Sequence, residues 1–284
     1  MPGAEHVDIY ASDGYRLGAT LFRPVASNAR ALQIHAAAGV KQEYYAQFAA
    51  YLAARGFTVL TFDYRGVGRS APAGVKKLAT RLRDWAELDT AAALDFLATN
   101  SGNHRLMAIG HSFGGVAFAL VPGHERLAAV LAVGSQSCYW RHWPAAWRPG
   151  MWLLTHALLP GATHLFGYFP GAVMAQGENL PAGVALEWAS WCRNPQYLVG
   201  ALQAQERFER FRLPFRLYSI ADDIYAPLAA AEALQRLYPS AAHELRRVAP
   251  QDAGVERIGH FGFFRERFRD SLWREAADWL ESQK

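Results

Sequence analysis

The chain has 284 residues, of which 51% are apolar, so it can bury the core of one large or two small domains and is not intrinsically disordered. Its formal charge is only +4, and its basic residues are scattered along the chain, which argues against a nucleic-acid-binding protein with a clustered basic face. Cys138 and Cys192 form no CxxC pair, so we expect them to be reduced and structural, with no metal site.

The N-terminal sequence MPGAEHVDIY lacks the positive charge and apolar run of a secretory signal, and it predicts a cytoplasmic protein. Residues 151–170 are strongly apolar but contain Pro160, Gly161, His156 and His164, which are costly in a bilayer. We therefore expect a buried or lid-forming pair of helices there and no membrane span.

Apolar strand-like runs alternate with helical patterns along most of the chain, which predicts an α/β fold with a mostly parallel sheet. The predicted strands are residues 6–12, 15–23, 31–35, 57–62, 106–109, 127–133, 215–220 and 243–248. The predicted helices are residues 44–53, 80–100, 115–121, 227–238 and 271–281.

The segment 137–212 interrupts this alternation. It is rich in aromatic residues, proline and glycine, and it shows no clear strand pattern. We interpret it as an insertion, which leaves residues 1–136 and 213–284 as the core domain.

A candidate nucleophile follows the strand at 106–109. The sequence Gly110-His111-Ser112-Phe113-Gly114 fits the nucleophile-elbow pattern, in which a serine occupies a sharp turn between a strand and a helix. Flanking glycines permit that turn and lift the hydroxyl clear of the sheet. The alternative is a serine that caps a helix after a glycine-rich turn.

A serine nucleophile needs a base and an orienting carboxylate, which follow it along the chain in the order acid, then histidine. We assign His260, in a glycine-flanked loop after the last strand, as the base. Asp223 is preferred as the orienter because Pro227, four residues later, suits the first turn of a helix; Asp222 is the alternative and Asp252 a distant third. The other histidines considered are worse candidates: His111, His142, His156, His164 and His243.

The oxyanion of an acyl-transfer intermediate needs backbone N–H donors. We expect one from the amide of Phe113, at the start of the helix after Ser112. The second is expected from the amide of Ala37, in the small and unhindered loop Ala36-Ala37-Ala38-Gly39. A simple tight turn is the alternative explanation of that loop.

These motifs together resemble the α/β-hydrolase superfamily over essentially the whole chain, and most closely bacterial hydrolases related to the serine-aminopeptidase-like branch. The resemblance rests on residues 35–39, 62–70, 110–114, 222–227 and 259–264. It implies an eight-stranded, mostly parallel sheet with flanking helices, and it makes residues 63–70 a structural turn beside the site. One departure is Ala36, where many relatives have glycine.

The resemblance also implies that the insertion at 137–212 is a helical lid. Six of the nine tryptophans lie in it, and we expect Trp140, Trp143 and Trp147 to form an apolar wall that binds the substrate. The alternative is that these rings only form the core of the lid itself.

The sequence therefore predicts a serine hydrolase that uses Ser112, His260 and Asp223 on a small-molecule ester with a small or medium apolar acyl group, without a metal or organic cofactor. A thioesterase, an amidase or aminopeptidase, a C–C bond hydrolase and an acyltransferase remain open, because each can use the same triad. A non-catalytic ligand-binding protein of the same fold is the alternative from another class. The sequence does not indicate an oligomeric state.

Overall fold

An eight-stranded sheet forms the centre of the molecule in the computed structural model, which describes residues 3–174 and 177–283. Its strands are β1 (Gly3–Tyr10), β2 (Arg16–Arg23), β3 (Arg30–His35), β4 (Thr58–Phe62), β5 (Arg105–His111), β6 (Leu127–Val133), β9 (Pro214–Ile220) and β10 (Ala242–Val248); a separate two-stranded ladder contains β7 (Tyr168–Phe169) and β8 (Leu180–Pro181). The sheet order is β1-β2-β4-β3-β5-β6-β9-β10. β1 and β2 pair antiparallel, as do β2 and β4, and the other pairs are parallel.

The central strands are buried on both faces, as expected of a parallel sheet covered by helices. All five residues of β4 are buried, and so are the last five residues of β6. The helices are α1 (Ala46–Ala54), α2 (Leu82–Asp84), α3 (Ala91–Asn100), α4 (Arg148–Leu153), α5 (Leu159–Phe166), α6 (Gly171–Met174), α7 (Ala182–Arg193), α8 (Tyr197–Leu202), α9 (Gln205–Glu209), α10 (Leu228–Leu237), α11 (Gly259–Gly262) and α12 (Arg274–Ser282). The expected α/β architecture is confirmed.

The segment after the candidate nucleophile differs from the prediction. An apolar helix was expected over 115–121, but the chain forms two short 3₁₀ segments, Ser112–Gly115 and Phe118–Leu120. Pro122 disfavours helical backbone in the residue before it. Val121 is accordingly extended, with φ −78° and ψ 115°, so no α-helix can develop in the space available.

The chain between β6 and β9 is largely helical and includes α4 to α9. No strand was predicted there, so the short β7–β8 ladder is an addition. This segment is joined to the rest of the chain by ion pairs between Glu187 and Arg83, at 2.5 Å, and between Arg207 and Glu87, at 2.5 Å. No helix among the described residues has the length and apolar character needed to span a bilayer.

The turn after β4 is organised around one buried carboxylate. Asp63 accepts hydrogen bonds from the Gln42 amide at 2.8 Å, from the Gln42 side chain at 2.9 Å and from the Arg69 amide at 2.9 Å. A side chain at Gly68 would meet the Asp63 carboxylate at 2.6 Å, so glycine is required there. These contacts give the residues from Asp63 to Ser70 a structural role.

Candidate active site

Ser112 lies directly after β5, at the carboxyl edge of the sheet, and is half-buried. Its φ of +50° is in the left-handed region, which a non-glycine residue enters only when its surroundings impose it. The neighbouring backbone is packed tightly enough to do so. A Cβ at Gly110 would lie 2.3 Å from the Gly114 carbonyl oxygen, and one at Gly114 would lie 2.3 Å from the His35 carbonyl oxygen.

Asp223 and His260 form a buried pair at the same edge of the sheet. The His260 Nδ1 atom lies 2.6 Å from Asp223 Oδ2. The other carboxylate oxygen, Oδ1, accepts the amides of Tyr225 at 2.8 Å and Ala226 at 3.1 Å. Both oxygens of the carboxylate are thus satisfied, and Asp223 holds the imidazole with its Nδ1 proton toward the acid and its Nε2 atom away from it.

The Asp222 carboxylate has different hydrogen-bond partners from the Asp223 carboxylate. Its Oδ2 atom accepts the Ile258 amide at 3.0 Å, and its Oδ1 atom accepts the Gly259 amide at 3.0 Å. Gly259 has a φ of +65°, so the chain turns sharply immediately before His260. Asp222 therefore fixes the loop that carries His260, while Asp223 fixes the ring.

Gly134, at the end of β6, permits this pair to approach the sheet. Its φ is +58°, and a Cβ there would lie 3.2 Å from Asp223 Oδ2 and 3.3 Å from His260 Nδ1. A larger residue would press on both members of the pair. Nothing in the sequence around Gly134 indicated this contact, because it depends on how the loops of two later strands fold back over β6.

A buried hydrogen-bond chain links three loops of the site. The Ala37 amide donates to the Tyr45 hydroxyl at 2.9 Å, and that hydroxyl lies 2.8 Å from His111 Nδ1. The other ring nitrogen of His111 lies 3.0 Å from the His260 carbonyl oxygen. Since an amide can only donate and a carbonyl can only accept, Tyr45 donates to Nδ1 and His111 carries its proton on Nε2.

His111 is neutral in this arrangement. Burial lowers the pKa of its imidazole well below the usual value, and the nearby His260 lowers it further. A neutral ring is what the hydrogen-bond chain requires, because Nδ1 must accept the Tyr45 proton. The sequence ranked His111 as a poor candidate base, and it did not indicate that His111 would support the His260 loop.

The proposed second oxyanion donor is affected by the same chain of contacts. The Ala37 amide donates to the Tyr45 hydroxyl in this structure, so Ala37 stays a predicted donor that would first have to be released from Tyr45. The next amide, that of Ala38, has no backbone or side-chain acceptor within the described part of the chain.

Ala36 is not among the residues with positive φ, so an alanine in place of the usual glycine causes no strain there. Phe113 is the second residue of the short 3₁₀ segment Ser112–Gly115, and the first amides of such a segment lack partners within it.

Among the hydrogen bonds of residues 3–174 and 177–283, none joins the Ser112 hydroxyl to His260. The two residues are linked through His111, whose ring bonds to the backbone of His260. Hydrogen bonds between a nucleophile and its base are often long before substrate binds. The structure therefore brings the acid and the base into contact and holds the nucleophile on the loop beside them.

The three tryptophans expected to bind substrate lie in different environments. Trp143 is buried, and its Nε1 atom donates to the Ile224 carbonyl at 3.1 Å. Trp147 is 52% exposed, and Trp140 packs edge-on to His156 at 6.2 Å. None of the three lines the cavity that contains His260. Their contact with substrate stays a prediction.

The alternative acid and bases have other partners. Asp252 accepts the Ala249 amide at 2.9 Å, and His243 Nε2 lies 2.6 Å from the Tyr238 carbonyl. His142 Nδ1 lies 3.2 Å from the Ser137 carbonyl. The part of the chain that the structure describes contains no group of three or more side chains placed to ligate a metal ion.

Comparisons with known proteins bear on the fold of the chain. Residues 32–163 match the family model described as serine aminopeptidase, S33. The esterase domain of a Rhodothermus marinus protein has a TM-score of 0.59 at 17% identity, with 98% of each chain covered. The α/β hydrolase GrgF from Penicillium sp. gives 0.62 at 20% identity, with 99% of each chain covered.

A third similar structure is the esterase Pf2001 of Pyrococcus furiosus, with a TM-score of 0.60 at 14% identity, covering 99% of this chain and 93% of that one. No curated protein matches the sequence. At these identities the structural likeness establishes the fold, and the chemistry has to be argued from the site.

Proposed function

The chain is an α/β-hydrolase by fold, and from that premise we propose that it is a serine hydrolase that cleaves carboxylic esters with a small or medium apolar acyl group. The observation that carries this proposal is the buried pair of His260 and Asp223, with Nδ1 and Oδ2 2.6 Å apart, on loops adjacent to a strained Ser112. A strained serine costs stability, and catalysis gives a reason to keep it.

The reaction follows from the roles that these groups can take. His260 Nε2 removes the proton of Ser112 as its oxygen bonds to the ester carbonyl carbon, and the imidazolium then gives that proton to the departing alcohol oxygen. Asp223 stabilises the imidazolium through Nδ1. In the second step His260 removes a proton from water as the water oxygen attacks the acyl-enzyme carbonyl. His260 then gives that proton to the Ser112 oxygen as the carboxylic acid product departs, and this restores the Ser112 hydroxyl.

The oxyanion formed in each step requires two donors. We assign the Phe113 amide as one. For the second we propose the amide of Ala38, which has no acceptor among the described residues, because the Ala37 amide donates to Tyr45. If Ala37 serves instead, the substrate must displace the Tyr45 hydroxyl from it.

Ester cleavage is preferred over the rival reactions because two of the similar structures are described as esterases. Thioester, amide and C–C bond hydrolysis and acyl transfer use the same three groups. A non-catalytic binding protein is disfavoured, because binding alone requires neither a strained serine nor a histidine oriented by a fully hydrogen-bonded carboxylate.

The test is hydrolysis of p-nitrophenyl butyrate by the wild type and by Ser112→Ala. We expect turnover by the wild type and a loss of about 10⁶-fold in the variant, with an unchanged melting temperature. Activity retained in the purified variant would exclude Ser112 as the nucleophile. A matched panel of oxygen esters, thioesters and anilides, compared by kcat/KM, then ranks the reaction types.

A further inference from the structure

A cavity of about 450 Å³ lies beside the base, between the loop after β9 and residues 257–267. His260 lines it together with Tyr225 and Phe261. The rings of these two residues flank the imidazole, with centroids at 5.3 Å and 5.1 Å from that of His260. A molecule in this cavity therefore lies against the catalytic base of the proposed function.

The cavity has a strongly unbalanced charge. Arg257, Arg265 and Arg267 line it, all three are exposed, and none forms an ion pair with a carboxylate within residues 3–174 and 177–283. Arg267 donates one N–H to the Arg257 carbonyl at 2.7 Å, and Arg265 lies over the Tyr44 ring at 5.3 Å. Most of the guanidinium donors thus remain available.

The one acidic residue that lines the cavity forms no ion pair with these arginines, and its single negative charge does not balance their three positive charges. Asp222 uses both carboxylate oxygens on the amides of Ile258 and Gly259. The acidic residues next to the arginines in the sequence, Glu256 and Glu266, are exposed and do not line the cavity. Guanidinium groups bind carboxylate and phosphate through paired N–H donors, and a cleft of one sign attracts ions of the other.

The position of the cavity indicates which part of the substrate occupies it. In the proposed mechanism His260 gives its proton to the leaving group, so the leaving group must lie next to the imidazole when the ester bond breaks. His260 and the three arginines line the same cavity. A leaving group that reaches into it would place its far end among them.

We propose that this cavity binds a carboxylate or phosphate carried by the leaving group of the substrate. This inference rests on the proposed function, since it uses the role of His260 as the acid that protonates the departing oxygen. The preferred substrates are then acyl esters of an anionic alcohol or phenol. Neutral esters react through the same triad without this binding contribution.

The test compares three acetyl esters with leaving groups of similar size: 3-acetoxybenzoate, 3-acetoxyphenyl phosphate and the neutral 3-acetoxybenzamide. We expect kcat/KM to be at least about tenfold higher for an anionic ester, with the advantage lost in 0.5 M NaCl because salt screens exposed charges. The ester with the higher kcat/KM identifies carboxylate or phosphate as the preferred group.

The variant Arg257→Gln/Arg267→Gln should lower the ratio of anionic to neutral kcat/KM by about tenfold, since two exposed ion pairs of a few-fold each are removed. Arg105→Gln/Arg212→Gln is the matched control. Both arginines are exposed at the opposite edge of the sheet, Arg105 at the start of β5 and Arg212 just before β9. This variant removes the same charge and should leave the ratio of anionic to neutral kcat/KM unchanged.

The outcomes separate the two proposals. If wild-type protein hydrolyses none of the three esters, or if Ser112→Ala retains the activity, the proposed function fails. If the esters are cleaved through Ser112 but the ratio is near one, or is the same in both arginine double variants, the anion site is refuted and the proposed function stands.

Discussion

At the scale of single residues, the two adjacent aspartates have separate tasks that substitution can distinguish. Asp223→Asn should lower kcat by about 10⁴, because an amide can hold His260 in the wrong tautomer, while the fold is retained. Asp222→Asn keeps one acceptor oxygen and should lower kcat only about fivefold to tenfold, the effect of roughly 1 kcal/mol of lost hydrogen bonding. Steady-state kinetics on one ester measures both. The larger loss in Asp222→Asn would show that Asp222 is the orienting acid.

Residue roles could be predicted only where a motif carries them. The elbow sequence around Ser112 and the chain order of acid and base suggested three residues that the structure places at one edge of the sheet. Tyr45 and Gly134 could not be found in the same way, because their contacts with His111 and with the Asp223–His260 pair depend on packing between distant segments. The occupied amide of Ala37 escaped prediction for the same reason.

At the scale of the element, the nucleophile turn depends on the absence of side chains at its glycines. Gly114→Ala should lower stability by about 1–3 kcal/mol or more, because its Cβ would lie 2.3 Å from the His35 carbonyl oxygen. It should also reduce kcat by displacing Ser112. Gly74→Ala is the control, since no atom lies within 4 Å of its Cβ position. Denaturant unfolding measures both variants, and equal stability in the two would contradict the packing described here.

The helical segment between β6 and β9 permits a test of its tryptophans. Trp143 is buried and hydrogen-bonded, so Trp143→Ala should cost about 3–5 kcal/mol of stability. Trp147 is exposed, and Trp147→Ala should change stability by less than about 0.5 kcal/mol. Thermal melts give these values.

The same two variants test whether the rings bind the acyl chain. Each methylene that an apolar wall covers adds up to roughly 0.8 kcal/mol, so kcat/KM should rise from acetyl to octanoyl p-nitrophenyl esters. If one of the two rings lines the site, its replacement by alanine should flatten this increase. An unchanged slope in both variants, or a wild-type preference for acetyl, would assign the tryptophans to packing alone.

Strands that are continuous apolar runs and helices with a clear periodicity are the elements that the sequence predicts. The strand at Leu127–Val133 matches its prediction at both ends, and the other seven sheet strands agree to within about three residues. The helix expected over 115–121 was wrong, because apolar composition favoured it while two adjacent glycines and Pro122 opposed it. The β7–β8 ladder has only two residues in each strand, too few to produce an alternating pattern.

At the scale of the whole molecule, the buried histidine at the end of β3 makes the fold sensitive to acid. Burial lowers the pKa of His35 from 6.5 to about 4, while the Gly114 carbonyl accepts the Nδ1 proton at 3.1 Å. Between pH 6.5 and pH 4, His35 is therefore protonated in the unfolded chain and neutral in the folded chain. Stability falls as the pH decreases from 6.5 to 4, by up to about 3 kcal/mol from this residue.

The measurement is the free energy of unfolding in denaturant at pH 7 and at pH 4.5, for the wild type and His35→Asn. The asparagine side chain can keep the donor to Gly114 but does not titrate. The wild type should lose about 2 kcal/mol more than the variant between these pH values. Equal losses would show that His35 is not protonated on unfolding in this range.

Reaction with a fluorophosphonate probe, followed by peptide mapping, shows directly whether Ser112 is the nucleophile of this protein. We expect one equivalent of label, attached to Ser112, and none after Ser112→Ala substitution. Labelling of Ser112 should also be much slower in Asp223→Asn, because the serine is activated through His260. A wild-type protein that stays unlabelled while folded, or that carries the label on another residue, would exclude Ser112 as the activated nucleophile.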